Sequence, residues 1–145
     1  KTMHLKAPFN YALHCPAMLS EHNDLTELHT WDVKSVPNVK LYSTADYSPV
    51  QIESHNIANK IATTLTTCVD FPRIIDRVYD ENVRIFIEVG AGSNCSKWVE
   101  ESLRGRPHLS AAVNRQSTTD HNGILRLLAR LTCHRVPLDL SPLYT

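Results

Sequence analysis

The sequence predicts an α/β protein in which a short, mostly parallel sheet is flanked by helices. Residues 84–89 are almost continuously apolar, which is typical of a parallel strand covered on both faces. Residues 71–81 place apolar side chains at helical spacing. Strand-like and helix-like segments alternate along the chain. Because such alternation indicates βα units, we expect parallel strands joined by helices.

The composition is that of a globular protein large enough for one domain with its own core. The chain has 145 residues, 42% of them hydrophobic, and its 15 Lys and Arg balance its 15 Asp and Glu. This balance predicts no electrostatic affinity for nucleic acid or an anionic membrane. No segment has the apolar length of a membrane span, and no signal peptide is present. We expect a cytoplasmic protein, and the start at Lys1 fits a processed or truncated piece of a larger one.

The four cysteines, Cys15, Cys68, Cys95 and Cys133, permit two disulfides. A chain of this length does not need disulfides for stability, however, and the usage of cysteine by compartment favours reduced thiols in a cytosol. The sequence has no C-x-x-C pair, and His134 beside Cys133 lacks the partner pair of a zinc site. We therefore expect no metal site.

The first half of the chain begins with a predicted strand at residues 7–14 and a predicted helix at residues 18–30. Residues 39–43 form a short strand candidate, and residues 46–49 are turn-like. A helix is predicted from about residue 51 to residue 66, because apolar side chains recur there every four positions. These side chains are Ile57, Ile61 and Leu65.

The second half contains the most regular helical pattern. Helix 71–81 has Asp70 as its N-cap and Pro72 in its first turn, where a missing N–H costs little. Strand 84–89 follows, and Gly90-Ala91-Gly92 ends it. The apolar side chains of the helix are Phe71, Ile74, Ile75, Val78 and Tyr79.

A helix around Trp98 leads to a predicted strand at residues 109–113 and to a last helix capped by Asp120. The proline-broken tail, residues 136–144, is expected to pack as an extended strap. The strands expected to lie parallel are residues 39–43, 84–89 and 109–113. The side chains of the middle strand that we expect to be buried are Ile85, Ile87 and Val89.

The turn Gly90-Ala91-Gly92 is similar to part of a dinucleotide-binding fingerprint, because it follows a strand and precedes a helix. Cys95 occupies the position of the third glycine, however. The partial motif favours a tight βα turn, and binding of an anion near the helix N-terminus stays open. The sequence contains no G-x-S-x-G nucleophile elbow.

His14 lies between a predicted strand and a helical segment that begins after Pro16. Cys15 is its neighbour, but adjacent residues of a strand point to opposite faces, which disfavours a Cys–His dyad. Histidine can act as a general base at neutral pH. From these residues alone, a structural role and a catalytic role for His14 both stay open.

Four segments, in order along the chain, carry a family resemblance. They are "YALHCPAM" (11–18), "LYST" (41–44), "VDFPRIIDRVYDENVRIFIEVGAG" (69–92) and "LARLTCHRVPLDLSPLY" (128–144). Together they resemble the histidine motif, the following strand, the helix with its EVGPG strand, and the trailing segment of acyl-CoA:acyl-carrier-protein acyltransferases. This is the malonyl-transacylase family with its polyketide-synthase relatives. "VGAGSNCSKW" and "NRQSTTDH" bring the chain closest to the acyltransferase subunits of bacterial polyunsaturated fatty acid synthases.

The resemblance implies the C-terminal part of an α/β-hydrolase-like acyltransferase domain. Residues 1–14 would be the returning strand of a small ferredoxin-like subdomain, residues 15–133 the α/β part of the large subdomain, and residues 134–145 an extended trailing segment. The G-x-S-x-G serine and the carboxylate-binding arginine of the family would lie upstream of Lys1. Where the family usually has a proline and a leucine, the chain has Ala91 and Cys95.

In the family, the histidine that matches His14 takes the proton of the serine during attack on an acyl-CoA thioester. It then activates the phosphopantetheine thiol of the carrier protein. A backbone carbonyl orients the ring, and the resemblance assigns this carbonyl to Thr64. Tyr11 and Leu13 match residues that shape the acyl pocket. Because Leu13 is neither the Phe that goes with malonyl nor the Ser that goes with methylmalonyl, the acyl group stays open.

The resemblance thus implies transfer of a malonyl or similar group from coenzyme A to a carrier protein, through an acyl-serine, in polyunsaturated fatty acid or polyketide synthesis. It implies acyl-CoA as substrate and no tightly bound cofactor. The implied partners are an acyl carrier protein, other synthase subunits and the N-terminal half of the same domain. Two alternatives stay open: a non-catalytic docking or structural remnant of a synthase subunit, and a hydrolase that removes stalled acyl groups.

Overall fold

The computed structural model describes residues 12–115 and 118–144, which form helices and two small sheets. The α-helices of these residues are α1 (His22–Leu28), α2 (Ser54–Thr66), α3 (Phe71–Asp80), α4 (Asn94–Ser102) and α5 (Asp120–Cys133). Their strands are β1 (Leu41–Ser43), β2 (Ser48–Val50), β3 (Ile85–Glu88) and β4 (Leu109–Ala112). The predicted α/β class is confirmed. The chain divides into two compact units, Lys1–Ile74 and Ile75–Thr145.

The first unit is built around α2, against which α1 packs. The buried stripe of α2 consists of Ala58, Ala62 and Thr66, all fully inaccessible. These residues recur every four positions on one helix face, and their small side chains allow the neighbouring helix to approach closely. The predicted stripe lies beside the buried one and lines an open cavity of about 350 Å³ between α2 and the β1–β2 hairpin. That stripe is Ile57, Ile61 and Leu65.

The strand predicted at residues 39–43 forms as β1, but its predicted parallel pairing is wrong. β1 runs antiparallel to β2 in a two-stranded sheet of its own. The chain reverses within residues 44–47, where Tyr47 has a left-handed φ of 58°. The N–H of Tyr47 donates to Ser43 O at 2.9 Å. So short a reversal joins antiparallel neighbours, because parallel strands need a crossover of a dozen or more residues.

The second unit holds a two-stranded parallel sheet in which β3 pairs with β4. The register places Ile85 beside Leu109 and Ile87 beside Ala111. α4 packs on both strands, and α5 packs on β4. Every residue of β4 is buried as a result. The predicted parallel pairing of these two strands is confirmed.

The predicted burial of one face of β3 is wrong. Ile85, Ile87 and Val89 are 37%, 42% and 82% exposed. Ile85 and Ile87 share a sheet face with their buried partners Leu109 and Ala111. Since α5 packs on β4, it shields the β4 half of this face and leaves the β3 half open to solvent.

The helix predicted at residues 71–81 is confirmed as α3. Its Ile74 and Ile75 are buried. Asp70 Oδ1 accepts a hydrogen bond from Arg73 N at 3.2 Å, as an N-cap does. The capping residue and the helical spacing of apolar residues therefore predicted this helix correctly.

The ends of the chain differ from the prediction. The strand predicted at residues 7–14 lies mainly outside the described residues, and residues 12–14 are not a strand. The helix predicted at residues 18–30 begins as a 3-10 helix, Pro16–Glu21, and continues as α1. In the tail, residues 136–140 have no regular structure and Ser141–Leu143 form a 3-10 turn.

Candidate active site

His14 is exposed and is held by its backbone and its side chain at once. Its N–H donates to Leu65 O at 2.8 Å, and its Nδ1 lies 2.6 Å from Thr64 O. Because a carbonyl oxygen can only accept, Nδ1 carries the hydrogen of this bond. In the neutral ring, Nε2 is then unprotonated, and its lone pair can take a proton.

The backbone of His14 is unusual for a residue with a Cβ. Its φ is 57°, in the left-handed region. Non-glycine residues adopt this region rarely, and when they do the surrounding contacts hold them there. Here the two hydrogen bonds to Thr64 and Leu65 supply that constraint. The ring direction therefore depends on a backbone conformation that the end of α2 enforces.

The end of α2 needs the donors that His14 provides. The last four carbonyls of a helix have no partner within it, and α2 ends without a glycine cap, since Thr67 has extended dihedral angles. Thr67 Oγ1 donates to Thr63 O at 2.7 Å. His14 supplies donors to the next two carbonyls, those of Thr64 and Leu65. His14 is thus a C-terminal cap that comes from a distant part of the chain.

The electrostatics of this position suit a base. The C-terminal end of a helix carries roughly −0.5 elementary charge. The His14 ring lies against this end of α2 through Nδ1. Helix C-termini favour nearby cationic groups, so this position is compatible with the base role that the resemblance assigns to His14.

The structure brings two of the predicted site residues together, because His14 bonds Thr64 although 50 positions separate them. Leu13 is half-buried beside His14 in the chain. Tyr11 lies outside the described residues. The base role of His14, the orienting role of the Thr64 carbonyl and the acyl-pocket roles of Tyr11 and Leu13 stay predictions.

Sequence reasoning did not single out two side chains that contact the last turn of α2. Thr44 Oγ1 lies 3.2 Å from Thr64 Oγ1. His22 Nε2 lies 3.2 Å from Thr63 Oγ1. The "LYST" segment contains Thr44 and could have drawn attention to it, whereas no local pattern distinguishes His22.

The backbone amides that follow the turn Gly90-Ala91-Gly92 donate hydrogen bonds to the side chain of Glu88. The Glu88 carboxylate accepts hydrogen bonds from Cys95 N at 3.2 Å and from Ser96 N at 2.7 Å. It also accepts one from Ser96 Oγ at 2.6 Å. These amides open α4, where a bound anion would otherwise lie. The Glu88 carboxylate therefore occupies the position at the start of α4 where an anion was one of the two expectations from the sequence.

Charge at this turn shifts two pKa values in opposite directions. Burial alone would raise the pKa of the Glu88 carboxyl, but the hydrogen bonds from Ser96 and Cys95 outweigh it and hold that pKa below its ordinary value. Burial, together with the negative charge of Glu88, raises the pKa of the Cys95 thiol. A thiol with a raised pKa is a poor nucleophile at neutral pH. The raised pKa therefore gives no support to a nucleophilic role for Cys95.

The described part of the chain brings no three histidine, cysteine, aspartate or glutamate side chains together in a way that could hold a metal ion. All four cysteines are free. Within residues 12–115 and 118–144, every helix is too short or too polar to cross a membrane.

A fatty acid synthase subunit is similar in sequence to most of the chain. The chain is 28% identical over 144 residues to a polyunsaturated fatty acid synthase subunit of Thraustochytrium sp., and the match covers 90% of the chain. It covers only 7% of that synthase polypeptide. No family model matches the chain.

Solved acyltransferase domains share the fold. The acyltransferase domain from the second module of the salinomycin polyketide synthase superposes with a TM-score of 0.79 over 95% of the chain, at 20% identity. The acyl transferase domain of SpnD, in complex with 2-(pent-4-yn-1-yl)malonyl, superposes with a TM-score of 0.68 over 83% of the chain, at 14% identity. The chain spans 32% and 30% of the lengths of these two structures. The resemblance that the four motifs predict is therefore confirmed in the fold: the chain has the fold of part of an acyltransferase domain.

Proposed function

We propose that the chain is the histidine-bearing part of an acyltransferase that moves an acyl group from coenzyme A to the phosphopantetheine thiol of an acyl carrier protein. The reaction passes through an acyl-serine, and the serine lies outside these 145 residues. The observation that carries the proposal is the bond from His14 Nδ1 to Thr64 O, at 2.6 Å. It leaves Nε2 as the free base of an exposed ring.

In the first half-reaction, Nε2 takes the hydroxyl proton as the serine attacks the thioester carbonyl. The helix end behind the ring stabilises the resulting imidazolium. As the C–S bond breaks, the imidazolium gives the proton to the departing thiolate of coenzyme A. In the second half-reaction, Nε2 takes the proton of the phosphopantetheine thiol, which attacks the acyl-serine, and returns it to the serine. The Thr64 carbonyl keeps Nδ1 protonated throughout.

The substrate and partners follow from the same assignment. From the motif match alone, we assign Tyr11 and Leu13 to the selection of a malonyl or related acyl group. Acyl-CoA and the carrier protein are substrates, and no tightly bound cofactor takes part. The remainder of the same domain and other synthase subunits are the protein partners. The synthase polypeptide that resembles this chain supports a place in fatty acid or polyketide assembly.

The test uses substitutions that separate the base from the cap. In the full-length protein, His14→Asn removes the base, but the Asn amide can still donate to Thr64 O and tolerates a positive φ. Loss of a general base should slow acyl-enzyme formation from labelled acyl-CoA by about a hundredfold or more. His29→Asn is the matched control, since His29 Nδ1 also donates to a helix carbonyl, that of Leu25, at 2.7 Å.

Single-turnover rates decide the outcome. A folded His14→Asn protein that forms the acyl-enzyme at the wild-type rate would show that His14 is structural. Equal losses in the His14 and His29 variants would point to helix capping as the common cause. Acylation that proceeds normally while the acyl group passes to water in the presence of the carrier protein would favour the hydrolase. The 145-residue chain alone, incubated with labelled acyl-CoA, should stay unmodified, because it contains no G-x-S-x-G serine.

A further inference from the structure

The turn of the β1–β2 hairpin grips α2 through two side chains. Asp46 Oδ2 accepts a hydrogen bond from Lys60 Nζ at 2.7 Å, and Thr44 Oγ1 lies 3.2 Å from Thr64 Oγ1. Lys60 and Thr64 are four positions apart and lie one above the other on the same face of the helix. The hairpin turn therefore contacts the C-terminal half of α2 at two points along its axis, and the Thr64 contact lies in the last turn.

The turn is itself held firmly. The N–H of Ala45 donates to Ser43 Oγ at 3.0 Å. On its far side, the Tyr47 hydroxyl accepts a hydrogen bond from Asp70 N at 3.0 Å, and the Arg73 guanidinium lies 4.1 Å from the centre of the Tyr47 ring. Because these contacts restrain the hairpin turn, Thr44 has a fixed position from which to restrain Thr64.

We propose that Thr44 is a positioning residue for His14, acting through the hydroxyl of Thr64. The proposal rests on the proposed function and adds a residue to it. Thr64 contributes its carbonyl to His14 Nδ1 and its hydroxyl to Thr44. Because both groups belong to one residue, the contact with Thr44 limits how far the Thr64 peptide can rotate. The direction of the His14 ring, and hence of Nε2, follows from that peptide.

Positioning of this kind has a measurable size. A misplacement of about 1 Å of a catalytic group can reduce a rate about a hundredfold. Loss of one side-chain hydrogen bond should displace the helix end by less than about 1 Å. We therefore expect a smaller effect, a decrease in kcat of about tenfold. Since Thr44 is placed against the helix end, KM for acyl-CoA should stay within about twofold of the wild-type value.

The experiment uses the full-length protein and variants of matched shape. Thr44→Val removes the hydroxyl and keeps the branched side chain, and Thr44→Ser keeps the hydroxyl. Thr64→Val removes the other partner of the same bond and leaves the carbonyl. Thr63→Val is the control, because Thr63 makes a bond of the same length, 3.2 Å, to His22 one residue along the helix.

A double-variant cycle shows whether the two threonines act together. Thr44→Val and Thr64→Val should each lower kcat about tenfold, and the double variant should lose no more than either single variant. Two independent effects would multiply to about a hundredfold instead. Thr44→Ser should recover kcat to within about twofold of the wild type, and Thr63→Val should leave kcat within the same range.

The state of the ring gives a readout that a general loss of stability would not move. In the 145-residue chain with ¹⁵N-labelled histidine, the neutral His14 ring should carry its proton on Nδ1. Thr44→Val should increase the fraction protonated on Nε2, and Thr63→Val should not. If Thr44→Val protein does not fold, Thr64→Val gives the same two measurements.

The two proposals fail in different ways. Wild-type acylation by His14→Asn protein would end the proposed function, whatever Thr44 does. Loss of acylation by His14→Asn protein, together with unchanged kcat and unchanged ring protonation in the Thr44→Val and Thr64→Val variants, would overturn only the positioning role. Equal effects of Thr44→Val and Thr63→Val on kcat would overturn it as well, because they would show that loss of any side-chain hydrogen bond at this helix end lowers kcat equally.

Discussion

Substitutions of His14 should rank in stability by how they treat one backbone angle and one hydrogen bond. The φ of His14 is 57°, and its ring donates to Thr64 O at the end of α2. Alanine loses the ring bond and keeps the strained backbone. Glycine loses the same bond but adopts a positive φ without strain. Asparagine tolerates a positive φ and can keep a donor near Thr64.

The magnitudes follow from these two features. A hydrogen bond of this kind contributes about 0.5–1.5 kcal/mol to stability, so that His14→Ala should cost about 1 kcal/mol in the free energy of unfolding. Relief of a left-handed backbone returns about 1 kcal/mol, from which the extra freedom of glycine in the unfolded chain removes about 0.4–1 kcal/mol. His14→Gly should therefore be about as stable as His14→Ala or slightly more stable. His14→Asn should lie within about 0.5 kcal/mol of the wild type, because it retains both features.

Urea unfolding of the 145-residue chain and hydrogen exchange of the last-turn amides of α2 measure this ranking. A loss of about 1 kcal/mol corresponds to roughly fivefold faster exchange. Alanine should accelerate exchange at Leu65 and Thr66, and asparagine should not. A His14→Ala chain that is more stable than both His14→Gly and His14→Asn would refute the reasoning, since it would mean that neither the angle nor the bond matters in solution.

Two further substitutions test the second unit. Glu88→Gln should lower the free energy of unfolding by about 1–2 kcal/mol at neutral pH, because it weakens the bonds from Cys95 and Ser96. Since folding lowers the pKa of Glu88 from 4.5, this stability is present above that value and is lost as the pH falls through the folded pKa. The difference between wild type and variant in urea unfolding should therefore shrink in acid, and a difference that is constant with pH would contradict the assignment. Gly123→Ala should lower the free energy of unfolding by about 1–3 kcal/mol, because a Cβ at this position would clash with the backbone carbonyl of Val113. Helix propensity alone predicts a gain of about 1 kcal/mol instead, and thermal unfolding gives the sign.

The sequence specified the elements that depend on local rules. Asp70 before a regular apolar repeat predicted α3 with its N-cap, and the structure has both. The apolar run at residues 84–89 predicted β3 and its parallel pairing with β4. The helix, its cap and the strand arise within a few residues of chain, where backbone geometry and hydrophobic spacing decide the outcome. The parallel pairing follows from the helix that connects the two strands.

Two features that the sequence did not predict are burial patterns, which depend on which helix packs against which side of a strand or helix. Ile85 and Ile87 satisfy the pattern of a strand buried on both sides, but α5 packs on the neighbouring strand. In α2, the spacing of Ile57 and Ile61 matched a buried stripe as well as Ala58 and Ala62 did, and packing chose the smaller residues. The β1–β2 hairpin was missed because its strands are three residues long and one contains Pro49.

In the candidate site, the family resemblance predicted a contact that the periodicity of apolar residues could not predict. The bond between His14 and Thr64 spans 50 positions, and no repeat in the sequence encodes it. The resemblance indicated the pair, because the motif matches assign His14 and Thr64 from a known pattern and not from the spacing of apolar residues. The same two donors of His14 finish α2 and leave Nε2 free. Under the proposed function, one interaction both caps the helix and orients the base. Substitutions such as His14→Asn, which keep the cap and remove the proposed base, measure the two roles separately.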